Sequence, residues 1–146
     1  MDIYVNVAGW AASTGASQGF QLDASPSNNL TGSAAYNTYS STKNGPNQGD
    51  ETQFYVNATG TGATAQVNVS GEINASNGGS IATIGQSGWY NFAVDFAKGS
   101  GGYVQNTFSV STLSGSQLGS YTATSLLPNN LLGGNNYGGW TSHKKK

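Results

Sequence analysis

The chain lacks cysteine altogether, which excludes disulfide bonds, thiolate nucleophiles and thiolate metal sites. It also lacks arginine: charged residues are 8% of the sequence, and the net charge is -1. A nucleic-acid-binding protein needs a basic surface that neutralises phosphates, so nucleic acid is not an expected partner. No apolar run approaches the roughly 18 residues that a membrane span requires, so no membrane span is predicted.

Small and polar residues are abundant, with 22 glycines among 146 residues. Disordered chains share such a composition, but aromatic residues make up 11% of the sequence and β-branched residues recur at regular positions, which favours a packed fold. The length suits one domain, which we place over residues 1–142. The basic close, residues 143–146, is unlike everything before it and is predicted to be an appended tail.

The most regular stretch is residues 88–113, which predicts a β-hairpin with one buried face. Apolar residues recur with a period of two: Tyr90, Phe92, Val94 and Phe96 on the first strand, and Val104, Phe108 and Val110 on the second. The glycines of segment 98–102 can form the tight connection. Trp89 falls on the opposite side of its strand, where it either packs against a second layer or is exposed.

The rest of the chain shows further short alternating segments separated by turn residues. Strands are predicted around Ile3, Val5 and Val7, around Phe20 and Leu22, around Phe54 and Val56, from Ala63 to Ile73, over 81–84 and over 118–125. Residues 30–51 are predicted to be a long loop, and residues 74–80 a turn. With no helical period, about eight or nine strands predict an all-β fold, an antiparallel β-sandwich or jelly roll.

No catalytic apparatus is evident in the sequence. A glycosidase needs two facing carboxylates, and no spacing among the six acidic residues identifies such a pair. A catalytic triad would have to use the only histidine, His143, which lies in the basic tail. The protein is therefore predicted not to be an enzyme.

Two kinds of binding site remain open. Asn44, Asn47, Asp50 and Glu51 could supply oxygen ligands to Ca²⁺, although a loop uses the same residue types for its turns; no other cofactor is expected. Sugar binding requires aromatic rings beside amides. Candidates for it are Tyr36, Tyr39, Asn135, Asn136, Tyr137 and Trp140. Tyr137 and Trp140 also suit packing in a closing strand.

Three segments carry a family resemblance: Gly-Trp-Tyr-Asn-Phe at 88–92, Leu-Gly-Ser at 118–120 and Leu-Gly-Gly-Asn-Asn-Tyr at 132–137. In this order they resemble the C-terminal half of secreted bacterial surface domains of the PEP-CTERM-associated type, mainly over residues 88–140. The resemblance implies a concanavalin-like or LamG-like sandwich at the cell surface, with no known reaction. No export signal or anchoring tail is recognisable in the sequence.

These observations favour a non-catalytic extracellular surface module with an adhesive, glycan-binding or structural matrix role. Its expected partner is a glycan or another surface polymer. The alternative is a self-assembling structural subunit of an extracellular filament or virus particle, whose edge strands pair with neighbouring subunits.

Overall fold

The computed structural model describes residues 1–11, 19–24, 52–73, 77–129, 132 and 141–144. Within these ranges the chain forms nine β-strands, one α-helix and one 3-10 turn at Gly62–Thr64. In chain order the main elements are β1 (Asp2–Val5), α1 (Val7–Ala11), β2 (Gly19–Ala24), β3 (Thr52–Thr59), β4 (Gln66–Ile73), β5 (Asn77–Ile84), β6 (Gly88–Lys98), β7 (Tyr103–Thr112), β8 (Gln117–Pro128) and β9 (Thr141–Lys144). The all-β prediction is confirmed.

The strands form two antiparallel sheets, as expected of a β-sandwich. The four-stranded sheet has the order β1-β6-β7-β8, and the five-stranded sheet has the order β5-β4-β3-β2-β9. Runs of strands that follow one another along the chain, β2 to β5 and β6 to β8, are also neighbours in space, which is a meander connection. A jelly roll is built from two Greek keys, and this strand order does not confirm it.

The predicted hairpin is confirmed as β6 and β7. Phe92 pairs with Val110, and Val94 pairs with Phe108. The inward side chains of β7 at Val104, Phe108 and Val110 are buried, as is Phe92, whereas Tyr90, Val94 and Phe96 are half-buried. Gly99 lies in the connection between β6 and β7. The side chain of Asn129 accepts a hydrogen bond from the Gly99 N–H at 3.1 Å and donates one to the Gly99 carbonyl at 2.7 Å. The hairpin end is thus tied to the residue that follows β8.

The core lies between the two sheets and includes a cluster of phenylalanines. Phe54 of β3 meets Phe92 edge-to-face at a centroid distance of 5.5 Å, and meets Phe108 in the same way at 5.1 Å. Gly71 of β4 lies against the Phe108 ring, which a Cβ atom at that position would approach to 2.6 Å. A side chain at position 71 would therefore push the sheets apart, so packing requires this glycine.

A second close approach joins the edge strand of each sheet. Gly79 of β5 lies against the ring of Tyr121 in β8, and Gly119 of β8 lies against the carbonyl of Ile81 in β5. The prediction of a turn over residues 74–80 is therefore wrong from Asn77 onward, where β5 begins. Glycines are common in turns, but here they permit one backbone to approach the opposite sheet.

The predicted strand through Val7 is also wrong at its end, because α1 begins there. The Asn6 side chain accepts a hydrogen bond from the Gly9 N–H at 2.9 Å, which is the bond of a helix N-cap. Val7 is still buried, so the apolar position was identified correctly and its backbone conformation was not. The helix α1 has five residues. No helix in the described ranges has the length and apolar character to span a membrane.

Other boundaries differ from the predicted ones. Ala63 belongs to the 3-10 turn rather than to β4, and β8 continues through Pro128. β9 pairs antiparallel with β2 and includes the backbone of His143 and Lys144. The predicted loop over 30–51 and the glycine-rich segment 133–140 lie outside the described residues.

Candidate functional site

The residues predicted to bind ligands lie outside the part of the chain that the structure describes. They are Tyr36, Tyr39, Asn135, Asn136, Tyr137 and Trp140 for sugar, and Asn44, Asn47, Asp50 and Glu51 for Ca²⁺. Among the described residues, no group of three or more histidine, aspartate and glutamate side chains is placed to hold a metal. The two binding sites therefore stay predictions, and the described surface has to be considered on its own.

An exposed aromatic pair stands on the outer face of the four-stranded sheet. Tyr4 of β1 is paired with Trp89 of β6, and both side chains point away from the core because their neighbours in the alternation point into it. Trp89 is 55% exposed and Tyr4 is 48% exposed. Their rings meet edge-to-face, with centroids 5.6 Å apart and planes at 68°. We call these two residues the aromatic platform.

A carboxylate and an amide flank the aromatic platform. Asp2 is paired with Asn91 two positions further along the same strands. The Asn91 Nδ2 atom donates a hydrogen bond to Asp2 Oδ1 at 2.8 Å. This bond orders both side chains and uses one oxygen of the carboxylate, so the second oxygen and the Asn91 Oδ1 atom are placed to accept hydrogen bonds from a ligand.

Hydroxyl groups continue the same face across β7 and β8. The pairing brings Thr107 opposite Thr122 and Ser109 opposite Ser120. The two threonine hydroxyls are 3.0 Å apart and hydrogen-bonded. On the side of β6, Asp95 pairs with Thr107 and Ala93 pairs with Ser109. The rows beyond the aromatic platform are therefore polar, and they present donors and acceptors in a fixed register.

Sequence alternation identified one half of this site. Trp89 was predicted to be either packed or exposed, and the structure shows that it is exposed. Tyr4 and Asp2 were not predicted, although Tyr4 alternates with the inward residues Ile3 and Val5. Nothing local in β1 indicates that its partner is β6, and only that pairing places the two aromatic rings side by side.

Comparison of the chain with family models, curated proteins and solved structures gives no significant match. The resemblance to secreted bacterial surface domains therefore stays a prediction from the sequence. The functional argument rests on the chemistry of the described surface.

Proposed function

We propose that the protein is a non-catalytic extracellular surface module that binds a glycan through the aromatic platform. The observation that carries this proposal is the pair of exposed rings, Tyr4 and Trp89, beside the hydrogen-bonded Asp2 and Asn91. Large aromatic side chains that are this exposed in a small domain are candidates for a binding surface.

The chemistry of a sugar fits this arrangement. The C–H face of a pyranose ring is apolar and stacks on an aromatic ring, while its hydroxyls need donors and acceptors at the ring edge. Trp89 supplies the larger stacking surface, and contact with Tyr4 restricts its rotation. Asp2 and Asn91 supply the polar atoms about two strand residues away, which is ~7 Å.

The exterior location and the adhesive or structural matrix role come from the resemblance of residues 88–140 to secreted bacterial surface domains. A module that coats or links cell-surface polymers needs a recognition face but no reaction centre.

A glycan array tests this function directly. We expect the wild-type protein to bind short glycans, and we expect Trp89→Ala to lose at least about fivefold in affinity, because truncating a central aromatic anchor costs more than ~1 kcal/mol. Tyr4→Ala should weaken binding less. Tyr103→Ala is the matched control, because Tyr103 is also exposed, at 46%, but lies at the far end of β7. All variants are first compared by thermal melting.

Two outcomes contradict the proposal. One is the absence of binding to any glycan by a correctly folded wild-type protein. The other is an equal loss of binding in the Trp89→Ala and Tyr103→Ala variants, because that result would mean that exposed aromatic rings bind without regard to their surroundings.

A second candidate function is self-assembly as a structural subunit of a filament or virus particle. It is favoured by the edge of β6, which has 11 residues. β1 pairs with Gly88 to Asn91, and the Met1 backbone exchanges two hydrogen bonds with Phe92. The remaining edge is not paired with any described strand, and such edges accept a strand from another molecule. Against it, Asp95 and Lys98 on this segment are exposed charges, which discourage pairing.

Size-exclusion chromatography with electron microscopy should show polymers if this function is correct, and a monomer of 14.9 kDa contradicts it.

A further inference from the structure

Beyond the aromatic platform, the outer face of the four-stranded sheet continues as an ordered polar surface. We call its three rows the hydroxyl strip. The rows, read across the paired strands, are Asp2–Asn91–Ser111, Ala93–Ser109–Ser120 and Asp95–Thr107–Thr122. From Trp89 of the platform to Asp95 of the strip, this face runs along β6 for about 20 Å. A single sugar ring on the platform would leave most of this surface unused.

We propose that the hydroxyl strip, together with the aromatic platform, binds an extended, uncharged polysaccharide chain. This inference rests on the proposed glycan-binding function and adds the class of ligand. The platform holds one sugar unit by stacking, and the strip holds the following units by hydrogen bonds from their hydroxyls to threonine, serine and asparagine side chains.

The charge on this face argues for an uncharged polymer. The charged residues among the outward positions of β1, β6 and β7 are Asp2 and Asp95, and both are exposed carboxylates. Lys98 is the last residue of β6. In the alternation of that strand it falls on the same side as Phe92 and Phe96, not on the outer face. A sulfated or uronic acid polymer would therefore bring its anions next to carboxylates with no cationic side chain among these positions, and like charges brought together disfavour binding. The terminal ammonium of Met1 donates a hydrogen bond to the Phe92 carbonyl at 2.7 Å.

The polarity of the strip argues against a protein as the occupant. A stable protein interface has an apolar, fully desolvated centre with a polar rim. Here the exposed aromatic residues stand at the two ends of the face, with the aromatic platform at one end and Tyr103 at the other. The centre of the face includes Ser109, Thr107 and their paired hydroxyls. The 3.0 Å bond between Thr107 and Thr122 fixes the position of both oxygens, so the strip offers preformed partners to a ligand rich in hydroxyls.

The test compares neutral and anionic polymers on the same backbone. Affinity electrophoresis is run in hydroxyethyl cellulose against carboxymethyl cellulose, and in methyl-esterified against de-esterified polygalacturonate. Calorimetry then follows neutral oligosaccharides of the better backbone, from disaccharide to hexasaccharide. We expect retardation by a neutral polymer and not by its anionic partner, and affinity that rises with oligosaccharide length.

Two variants separate the strip from the platform. Thr107→Ala with Thr122→Ala should lower hexasaccharide affinity by about two- to tenfold and leave disaccharide affinity unchanged, because one or two hydrogen bonds are lost. Asp95→Asn should raise the affinity for the anionic polymers. The matched control is Thr83→Ala, which removes an exposed threonine that bonds Asn68 at 3.1 Å on the five-stranded sheet.

Equal binding of the neutral and anionic polymers, or affinity that is independent of length and of the threonine pair, overturns this inference. If Trp89→Ala still abolishes binding in that case, glycan binding by the platform stands and the extended site does not. If the wild-type protein binds no polymer and no oligosaccharide, the proposed function fails together with the inference.

Discussion

Asn106 of β7 is a buried polar residue in a face that is otherwise apolar. It donates a hydrogen bond from Nδ2 to Thr52 Oγ1 at 2.7 Å, and its Oδ1 atom has no hydrogen-bond partner among the described residues. Both residues are fully buried. A buried amide with one unmet acceptor is costly, so the bond to Thr52 is the part of the arrangement that offsets this cost.

We therefore expect strong non-additivity between these two positions. Thr52→Val alone should lower the free energy of unfolding by about 1–3 kcal/mol, because it leaves the Asn106 amide without a partner. Adding Asn106→Leu should recover most of this loss, since two apolar residues of similar shape then replace the polar pair. Urea unfolding of the single and double variants measures both values. A neutral Thr52→Val variant would show that the bond contributes nothing.

Gly119 and Gly85 form a matched test of close packing at single residues. A Cβ atom at Gly119 would collide with the backbone carbonyl of Ile81, whereas a Cβ atom at Gly85 meets nothing within 4 Å. Gly119→Ala should destabilise the protein by about 1–3 kcal/mol, because the two sheet edges must separate. Gly85→Ala should be neutral or stabilising by up to ~1 kcal/mol. Thermal melting distinguishes them, and equal melting temperatures would contradict the close approach of β5 and β8.

At the scale of elements, the connection between β6 and β7 has one glycine with a positive φ angle. Gly102 has φ +87° and Gly101, its neighbour, does not; neither has an atom within 4 Å of its added Cβ. Gly102→Ala should therefore cost about 1–2 kcal/mol through backbone strain alone, and Gly101→Ala should cost little. Denaturant unfolding of the two variants gives the difference, and a tolerated Gly102→Ala would mean that the turn has another conformation.

Alternation predicted most of the strands because it reflects which side of each strand is buried. It placed Phe92, Phe108 and Val110 in the core, as the structure has them. It also puts Asn106 on the inward side, between Val104 and Phe108, but it cannot predict the hydrogen-bond partner of this buried amide, which is Thr52 from the opposite sheet. The sequence also predicted a turn at the glycines before Ile81. A glycine that permits close packing of two sheets cannot be distinguished from a turn glycine by its neighbours in the sequence.

At the scale of the whole molecule, the sandwich could be predicted and the candidate site only in part. The number and spacing of the strands indicate two layers, and the structure has two antiparallel sheets. The aromatic platform depends on the pairing of β1 with β6, which brings Tyr4 of β1 beside Trp89 of β6. These two residues are far apart in sequence. Contacts of that separation follow from the topology, which a single sequence does not specify.

The most direct test of the glycan-binding platform is an NMR titration that follows tryptophan side chains. The protein has three tryptophans, Trp10, Trp89 and Trp140, and each indole N–H gives one signal that single Trp→Phe variants assign. On titration with an oligosaccharide that binds in the array, we expect the Trp89 indole and the Asn91 side-chain amide to shift, while the Trp140 indole and the amide of Thr83 stay unchanged. A shift of the Trp140 indole without a shift at Trp89 would contradict the platform and would place binding in the glycine-rich segment instead.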